Sequence, residues 1–121
     1  MASVRYLVDD VEQALAFYRD HLGFETVEQW GSAIAIVQRD DLTLWLSGPG
    51  TSAARPMPDG RQPEPGGWNR IVVPVENLAA TVDDMCSKGV TFRNEILTGP
   101  GGSQILAEDG AGNIVELFQP R

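Results

Sequence analysis

The amino-acid sequence repeats its own pattern once, and this repeat limits the folds that the chain can adopt. A strand-like run, a helix and three further strand-like runs are followed, after a connector, by the same order of elements. A shift of 67 residues superposes apolar positions of the two halves: Val8 on Val75, Val11 on Leu78, Leu15 on Val82 and Tyr18 on Met85. Self-similarity of this kind indicates two copies of one supersecondary unit. We therefore predict an α+β fold of two tandem βαβββ units.

The 121 residues fit one domain built from two small halves that share a core. The domain spans residues 1–121, with the first unit at 1–47, a connector at 48–67 and the second unit at 68–121. In the first unit the apolar spacing predicts a helix over residues 11–21, with Asp10 as its N-cap and Gly23 after its end. Strands are predicted at residues 4–8, 24–29, 33–39 and 42–47.

The second unit shows the same signals. Asn77 caps a predicted helix with an apolar face, and Gly89 ends it. Strands are predicted at residues 71–75, 91–96, 103–107 and 114–119. The connector contains five prolines and five glycines, and a segment of this length and composition is either disordered or a lid over a site.

Composition excludes several classes of protein. With 42% apolar residues, the chain can bury a core, but no apolar run approaches the roughly 20 residues of a membrane span, so we expect a cytoplasmic protein without a membrane partner. A net charge of −8 disfavours nucleic acid as a partner. The single cysteine, Cys86, and the single histidine, His21, exclude an internal disulfide and any two-histidine metal site within one chain. Cys86 is expected in the core, and His21 has a structural role at a helix end.

Two stretches give the sequence a family resemblance. They are VDD at residues 8–10 followed by AFYRDHLGF at 16–24, and DGAGNIVEL at 109–117, which looks like a closing hairpin. The chain resembles the vicinal oxygen chelate superfamily, which includes glyoxalase I, extradiol dioxygenases, fosfomycin resistance proteins and bleomycin-binding proteins. The resemblance implies that each unit curls a mixed sheet around a cleft with its helix outside, and that the protein is a homodimer.

Alternation along the strands assigns side chains to the implied cleft. Leu42, Leu44 and Leu46 share the helix side of their strand, which turns Trp45 towards the cleft. The same parity gives the predicted ligand-binding residues: Ser3, Arg5, Trp45, Trp68, Arg70, Glu116 and Phe118.

Metal-dependent members of the superfamily hold an ion with residues on the first and last strands of each unit. The resemblance carries these four positions onto Ser3, Trp45, Arg70 and Glu116. Of these four side chains, only that of Glu116 could be a metal ligand, and the positive charge of Arg70 repels a cation. We therefore expect neither a metal nor a cofactor, with a residual site formed by Glu116 and Glu108 as the alternative.

Two interpretations of Arg70 and Glu116 remain open. In the first, they form an ion pair with each other. In the second, Arg70, with Arg5, binds an anionic or carbonyl group of a ligand, and Glu116 accepts hydrogen bonds from the ligand. In the second case Trp45 and Trp68 supply flat walls for a planar ligand. For Trp30, beside a turn, core packing is the expectation.

The favoured hypothesis is a metal-independent protein that binds a small molecule, such as an aromatic or antibiotic-like compound. The alternatives are an enzyme of the same superfamily and a partner subunit without ligand chemistry. The enzyme would be a metal-dependent lyase or dioxygenase, or a metal-free isomerase with Glu116 as its candidate base. No Ser-His-acid or Cys-His set can be assembled around the single histidine.

Overall fold

The repeat in the sequence is also a repeat in the structure. The computed structural model describes residues 2–121, which form two compact units, one ending at Gly66 and the other spanning Gly67–Arg121. Each unit contains one α-helix and one four-stranded mixed sheet. The predicted α+β fold of two tandem βαβββ units is therefore confirmed, and nearly all of the connector belongs to the first unit.

The first unit has its first and last strands side by side. Its sheet order is β1-β4-β3-β2, with β1 parallel to β4 and the other pairs antiparallel. The elements are β1 (Ser3–Leu7), α1 (Val11–Leu22), β2 (Glu25–Trp30), β3 (Ile34–Arg39) and β4 (Leu42–Ser47). A short 3-10 turn at Ser52–Ala54 lies in the connector.

Helix α1 begins and ends where its capping residues require. The Asp10 carboxylate accepts a hydrogen bond from the Gln13 amide at 3.1 Å, which satisfies one of the unpaired donors of the first turn. Gly23 follows the helix with a φ of 71°, a left-handed conformation that glycine adopts without a Cβ clash. Tyr18 is fully buried, and its ring meets those of Tyr6 and Phe24 edge-on at centroid distances of 6.4 and 5.6 Å.

The second unit repeats the parallel pairing of its outer strands. Its sheet order is β5-β8-β7-β6, with β5 parallel to β8. The elements are β5 (Val72–Pro74), α2 (Leu78–Ser87), β6 (Leu97–Gly99), β7 (Gly102–Glu108) and β8 (Ile114–Pro120). Asn77 caps α2 by accepting from the Ala80 amide at 3.0 Å. Within the described residues, neither helix has the length and apolar character needed to cross a membrane.

The strand predicted at residues 91–96 is wrong. Phe92 makes only an isolated bridge to Ala107, and the strand that pairs with β7 is the short β6 further along the chain. The side chain of Asn94 accounts for the interruption, because its Oδ1 accepts the Leu106 amide at 3.0 Å. A side chain thus takes the place of the backbone carbonyl that would continue the ladder.

Two core predictions are also wrong. Cys86 is exposed, whereas its neighbour Met85 is buried, because successive residues of a helix point about 100° apart. Trp30 is 55% exposed, since every residue of the edge strand β2 is exposed. His21 lies in the last turn of α1 as predicted, with its ring 5.4 Å from that of Phe17.

Candidate ligand-binding faces

Each sheet has one side that packs on the helix of its own unit and one side turned away from that helix. On β4, Leu44 and Leu46 are fully buried on the helix side, and Trp45 lies half-buried on the other side. We call the sides turned away from the helices the first-unit face, which carries Arg5 and Trp45, and the second-unit face, which carries Glu116 and Phe118. These faces hold the predicted site residues.

Arg5 is the cation of the first-unit face. The register pairs Arg5 with Trp45 on the neighbouring parallel strand, and the Arg5 Cζ atom lies 4.9 Å from the centroid of the indole ring. Arg5 Nη1 also donates to the hydroxyl of Ser47, a fully buried residue, at 3.3 Å. Two residues of β4 therefore hold the Arg5 guanidinium in place: Trp45 through a cation–π contact and Ser47 by accepting a hydrogen bond.

The middle of the first-unit face is apolar. Across the sheet, Trp45 lies opposite Ile36, and Ile36 lies opposite Glu28. The adjacent row places Ile34 between Ser47 and Trp30. The face therefore offers an indole and two isoleucines between a guanidinium at one edge and a carboxylate at the other.

Arg70 and Glu116 form the ion pair that was one of the two interpretations of the sequence. Arg70 Nη2 and Nε both donate to Glu116 Oε1, at 2.8 and 3.1 Å, and Nη1 donates to the Trp68 carbonyl at 3.1 Å. The side chains are 28% and 10% exposed. Within residues 2–121 the second carboxylate oxygen, Oε2, accepts no hydrogen bond. Glu116 thus keeps one free acceptor on the second-unit face.

Trp68 stands at the rim of this ion pair and is 69% exposed. Arg93 covers its ring, with Cζ 5.6 Å from the centroid, and Arg93 Nε donates to Glu108 at 3.1 Å. Sequence reasoning missed Arg93, because it placed this residue in a regular strand. Its opposite charge to Glu108, the residue directly after the neighbouring predicted strand, was the available signal.

The remaining predicted residues lie at the margins of the two faces. Ser3 is exposed at the start of β1, opposite Thr43, and Phe118 is half-buried on β8, opposite Gln104. The structure therefore places Ser3, Arg5 and Trp45 on the first-unit face. It places Trp68, Arg70, Glu116 and Phe118 on or beside the second-unit face.

The residues at the four positions implied by the resemblance do not fit a metal ion. Ser3 and Trp45 offer a hydroxyl and an indole, neither of which is a charged ligand. Arg70 already forms an ion pair with Glu116. Glu108, the alternative acid, pairs with Arg93. Among the described residues, no three histidine, cysteine or acidic side chains are grouped as a metal site requires.

The connector shapes a cavity within the first unit. A space of about 230 Å³ lies between the end of β1, at Leu7, and the Pro-rich segment that includes Pro63 and Pro65. The connector therefore forms a wall beside the carboxyl end of β1, where the first-unit face ends.

Comparisons with known proteins agree with this architecture. A family model described as Glyoxalase/Bleomycin resistance protein/Dioxygenase superfamily matches residues 1–117. The mitochondrial methylmalonyl-CoA epimerase of Mus musculus is 27% identical over 125 residues, which covers 96% of this chain and 70% of the epimerase.

Two solved structures have the same fold. A superfamily member from Sphaerobacter thermophilus DSM 20745 matches with a TM-score of 0.75 and 27% identity, covering 98% of this chain and 95% of that one. TnmS3, an antibiotic binding protein from Streptomyces sp. CB03234, matches with a TM-score of 0.75 and 23% identity, covering 98% and 93%. At that identity the likeness to TnmS3 is one of fold alone.

Proposed function

The chain belongs to the glyoxalase/bleomycin resistance protein/dioxygenase superfamily, and we propose that it is a metal-independent member that binds a small planar, aromatic or antibiotic-like molecule. One fold in this superfamily hosts several activities, so the proposal rests on the site residues. The observation that carries it is the Arg70–Glu116 ion pair, which stands at positions where the resemblance implies metal ligands.

The chemistry of this ion pair supports metal independence. A guanidinium is always cationic and supplies hydrogen-bond donors only, so it opposes the binding of a second cation beside it. Arg70 already neutralises Glu116 through two hydrogen bonds to one oxygen. A divalent ion would have to displace this pair and would gain a single carboxylate ligand.

The indole rings support a planar ligand. Trp45 lies half-buried in the apolar middle of the first-unit face, and Trp68 is exposed beside the ion pair. Ligand sites combine aromatic walls with a few polar groups that fix orientation. On the first-unit face Arg5 provides such a polar group, and on the second-unit face Glu116 Oε2 does. The fold likeness to an antibiotic binding protein agrees with such a use.

Metal analysis and a ligand screen test the proposal together. We expect the purified protein to contain no stoichiometric zinc, nickel, manganese or iron, and its thermal unfolding midpoint to rise with planar aromatic compounds but not with these metals. We expect Trp45→Ala to weaken compounds that bind the first-unit face, and Arg70→Ala to weaken compounds that bind the second-unit face, by about tenfold or more, since the first removes a wall and the second removes the partner that holds Glu116 in place. A bound metal at one equivalent contradicts the proposal. Unchanged affinity in both variants contradicts the assignment of ligand binding to these two faces.

A metal-free isomerase is the second candidate, and the free Oε2 of Glu116 favours it. A carboxylate oxygen without a partner can accept a proton from a bound substrate. The 27% identity to methylmalonyl-CoA epimerase supplies the first substrate to try. Turnover of methylmalonyl-CoA that is lost in Glu116→Gln, in a metal-free preparation, would establish this function in place of simple binding.

A further inference from the structure

The arginines of the two faces differ in which of their donors are occupied. Arg70 uses Nε and Nη2 on Glu116 and Nη1 on a backbone carbonyl. Arg93 uses Nε on Glu108. Arg5 uses only Nη1, on Ser47, and within residues 2–121 it forms no ion pair and donates no other hydrogen bond. The Nε–Nη2 edge of Arg5 is therefore free.

That edge has the geometry that a carboxylate requires. Two parallel N–H groups of a guanidinium match the two oxygens of a carboxylate, and such bidentate pairs are among the stronger hydrogen-bonded contacts in proteins. Arg70 uses the same edge on a carboxylate in this chain, with both donors on one oxygen, Oε1 of Glu116. Among residues 2–121, no carboxylate accepts from this edge of Arg5.

We propose that the first-unit face binds the carboxylate of a planar aromatic acid, with Arg5 as the partner of the carboxylate. The inference rests on the proposed function and adds to it the chemical class of the ligand. The ring of the acid lies along the apolar row that begins at Trp45 and continues to Ile36, one strand spacing away.

The distribution of charge on this face favours an anion at β1. The carboxylates that share the face, Glu25 and Glu28, are on β2, at the opposite edge of the sheet from Arg5. Three strand spacings separate these edges, or about 14 Å. An anionic group at Arg5 is therefore close to an uncompensated cation and remote from the carboxylates of the same sheet.

Ser47 and Trp45 act as positioning residues for Arg5. The buried hydroxyl and the indole hold the guanidinium before any ligand arrives, which reduces the side-chain entropy lost on binding. On the second-unit face, Arg70 cannot take the same group without breaking its pair with Glu116, and Glu108 already neutralises Arg93. Among the described residues Arg5 has no acidic partner, so the first-unit face is the one that selects for an acid.

The experiment compares 2-naphthoate with its neutral amide, 2-naphthamide, by isothermal titration calorimetry on the full chain at pH 7. The two probes have the same ring system and differ in charge. We expect the wild-type protein to bind the acid about tenfold more tightly than the amide, and Arg5→Gln to abolish this preference. Arg5→Lys keeps the charge and loses the planar pair of donors, so we expect it to retain only part of the preference.

Arg55→Gln is the matched control, because it removes the same charge from an exposed connector position. We expect it to leave the preference for the acid unchanged. Loss of the preference in Arg55→Gln as well as in Arg5→Gln would mean that net charge, rather than Arg5, selects the ligand. If Arg5→Gln fails to fold, by circular dichroism, Arg5→Lys decides the question.

The outcomes separate this inference from the proposed function. Equal binding of both probes, weakened by Trp45→Ala, overturns the inference and leaves a protein that binds planar molecules without regard to charge. Binding of neither probe overturns both. A preference for the acid that persists in Arg5→Gln and Arg5→Lys places the carboxylate elsewhere and also overturns the inference.

Discussion

At the scale of single residues, the ion pair of Arg70 and Glu116 makes a stability prediction. Removing Arg70 leaves the largely buried carboxylate without its hydrogen-bond partner, so Arg70→Ala should lower the free energy of unfolding by about 1 to 3 kcal/mol. A double variant, Arg70→Met with Glu116→Leu, should recover most of that loss, because it removes the uncompensated charge. Urea unfolding measures both values.

The exposed pair of Arg61 and Asp59 is the matched control. Its side chains are 84% and 53% exposed, so water screens the attraction and Arg61→Ala should change stability little. Equal losses in the two single variants would contradict the special status of the Arg70 pair.

At the residue level, the sequence narrowed Arg70 and Glu116 to two interpretations from charge chemistry. The structure shows one of them, the ion pair, since a partly buried charge needs a partner. Prediction from the sequence failed for Cys86 and missed the Arg93–Trp68 contact. The rotation of a helix and the path of an irregular segment set these positions, and the composition of the chain fixes neither.

At the scale of elements, the turn between β6 and β7 depends on Gly102. Its φ is 149°, and a Cβ at this position would collide with the backbone carbonyl oxygen of Gln119. Gly102→Ala should therefore lower the free energy of unfolding by about 2 kcal/mol or more. Gly101→Ala is the control, because a Cβ there meets open space. A loss of stability of the same size in both variants would contradict this account of the turn.

Most elements could be predicted because local signals and tertiary packing agree in them. The strand Leu42–Ser47 was predicted to the residue, and the helix Val11–Leu22 to within one residue, from alternation and capping signals that the core then uses. The strand predicted at residues 91–96 was wrong because the Asn94 side chain, in place of a backbone carbonyl, accepts the hydrogen bond of the Leu106 amide. That competition between a side chain and the backbone leaves no trace in the hydrophobic pattern.

At the scale of the whole molecule, we propose that the protein is a homodimer. The family resemblance predicts it, and the edge strands expose apolar side chains, such as Val27 and Leu97, that a second copy could cover. Sedimentation equilibrium should therefore give twice the 13.1 kDa mass of one chain. A species of single-chain mass at every concentration tested would contradict the proposal.

The pairing of Arg70 with Glu116 also determines whether the binding site depends on a supply of metal ions. The guanidinium of Arg70 is covalently part of the protein. The positive charge that pairs with Glu116 therefore cannot be removed by a chelator or exchanged for another ion. If this pair replaces the metal of related proteins, the site is complete once the chain has folded. The protein would then keep its binding capacity in a metal-starved cell, where a metalloprotein of the same fold would lose it.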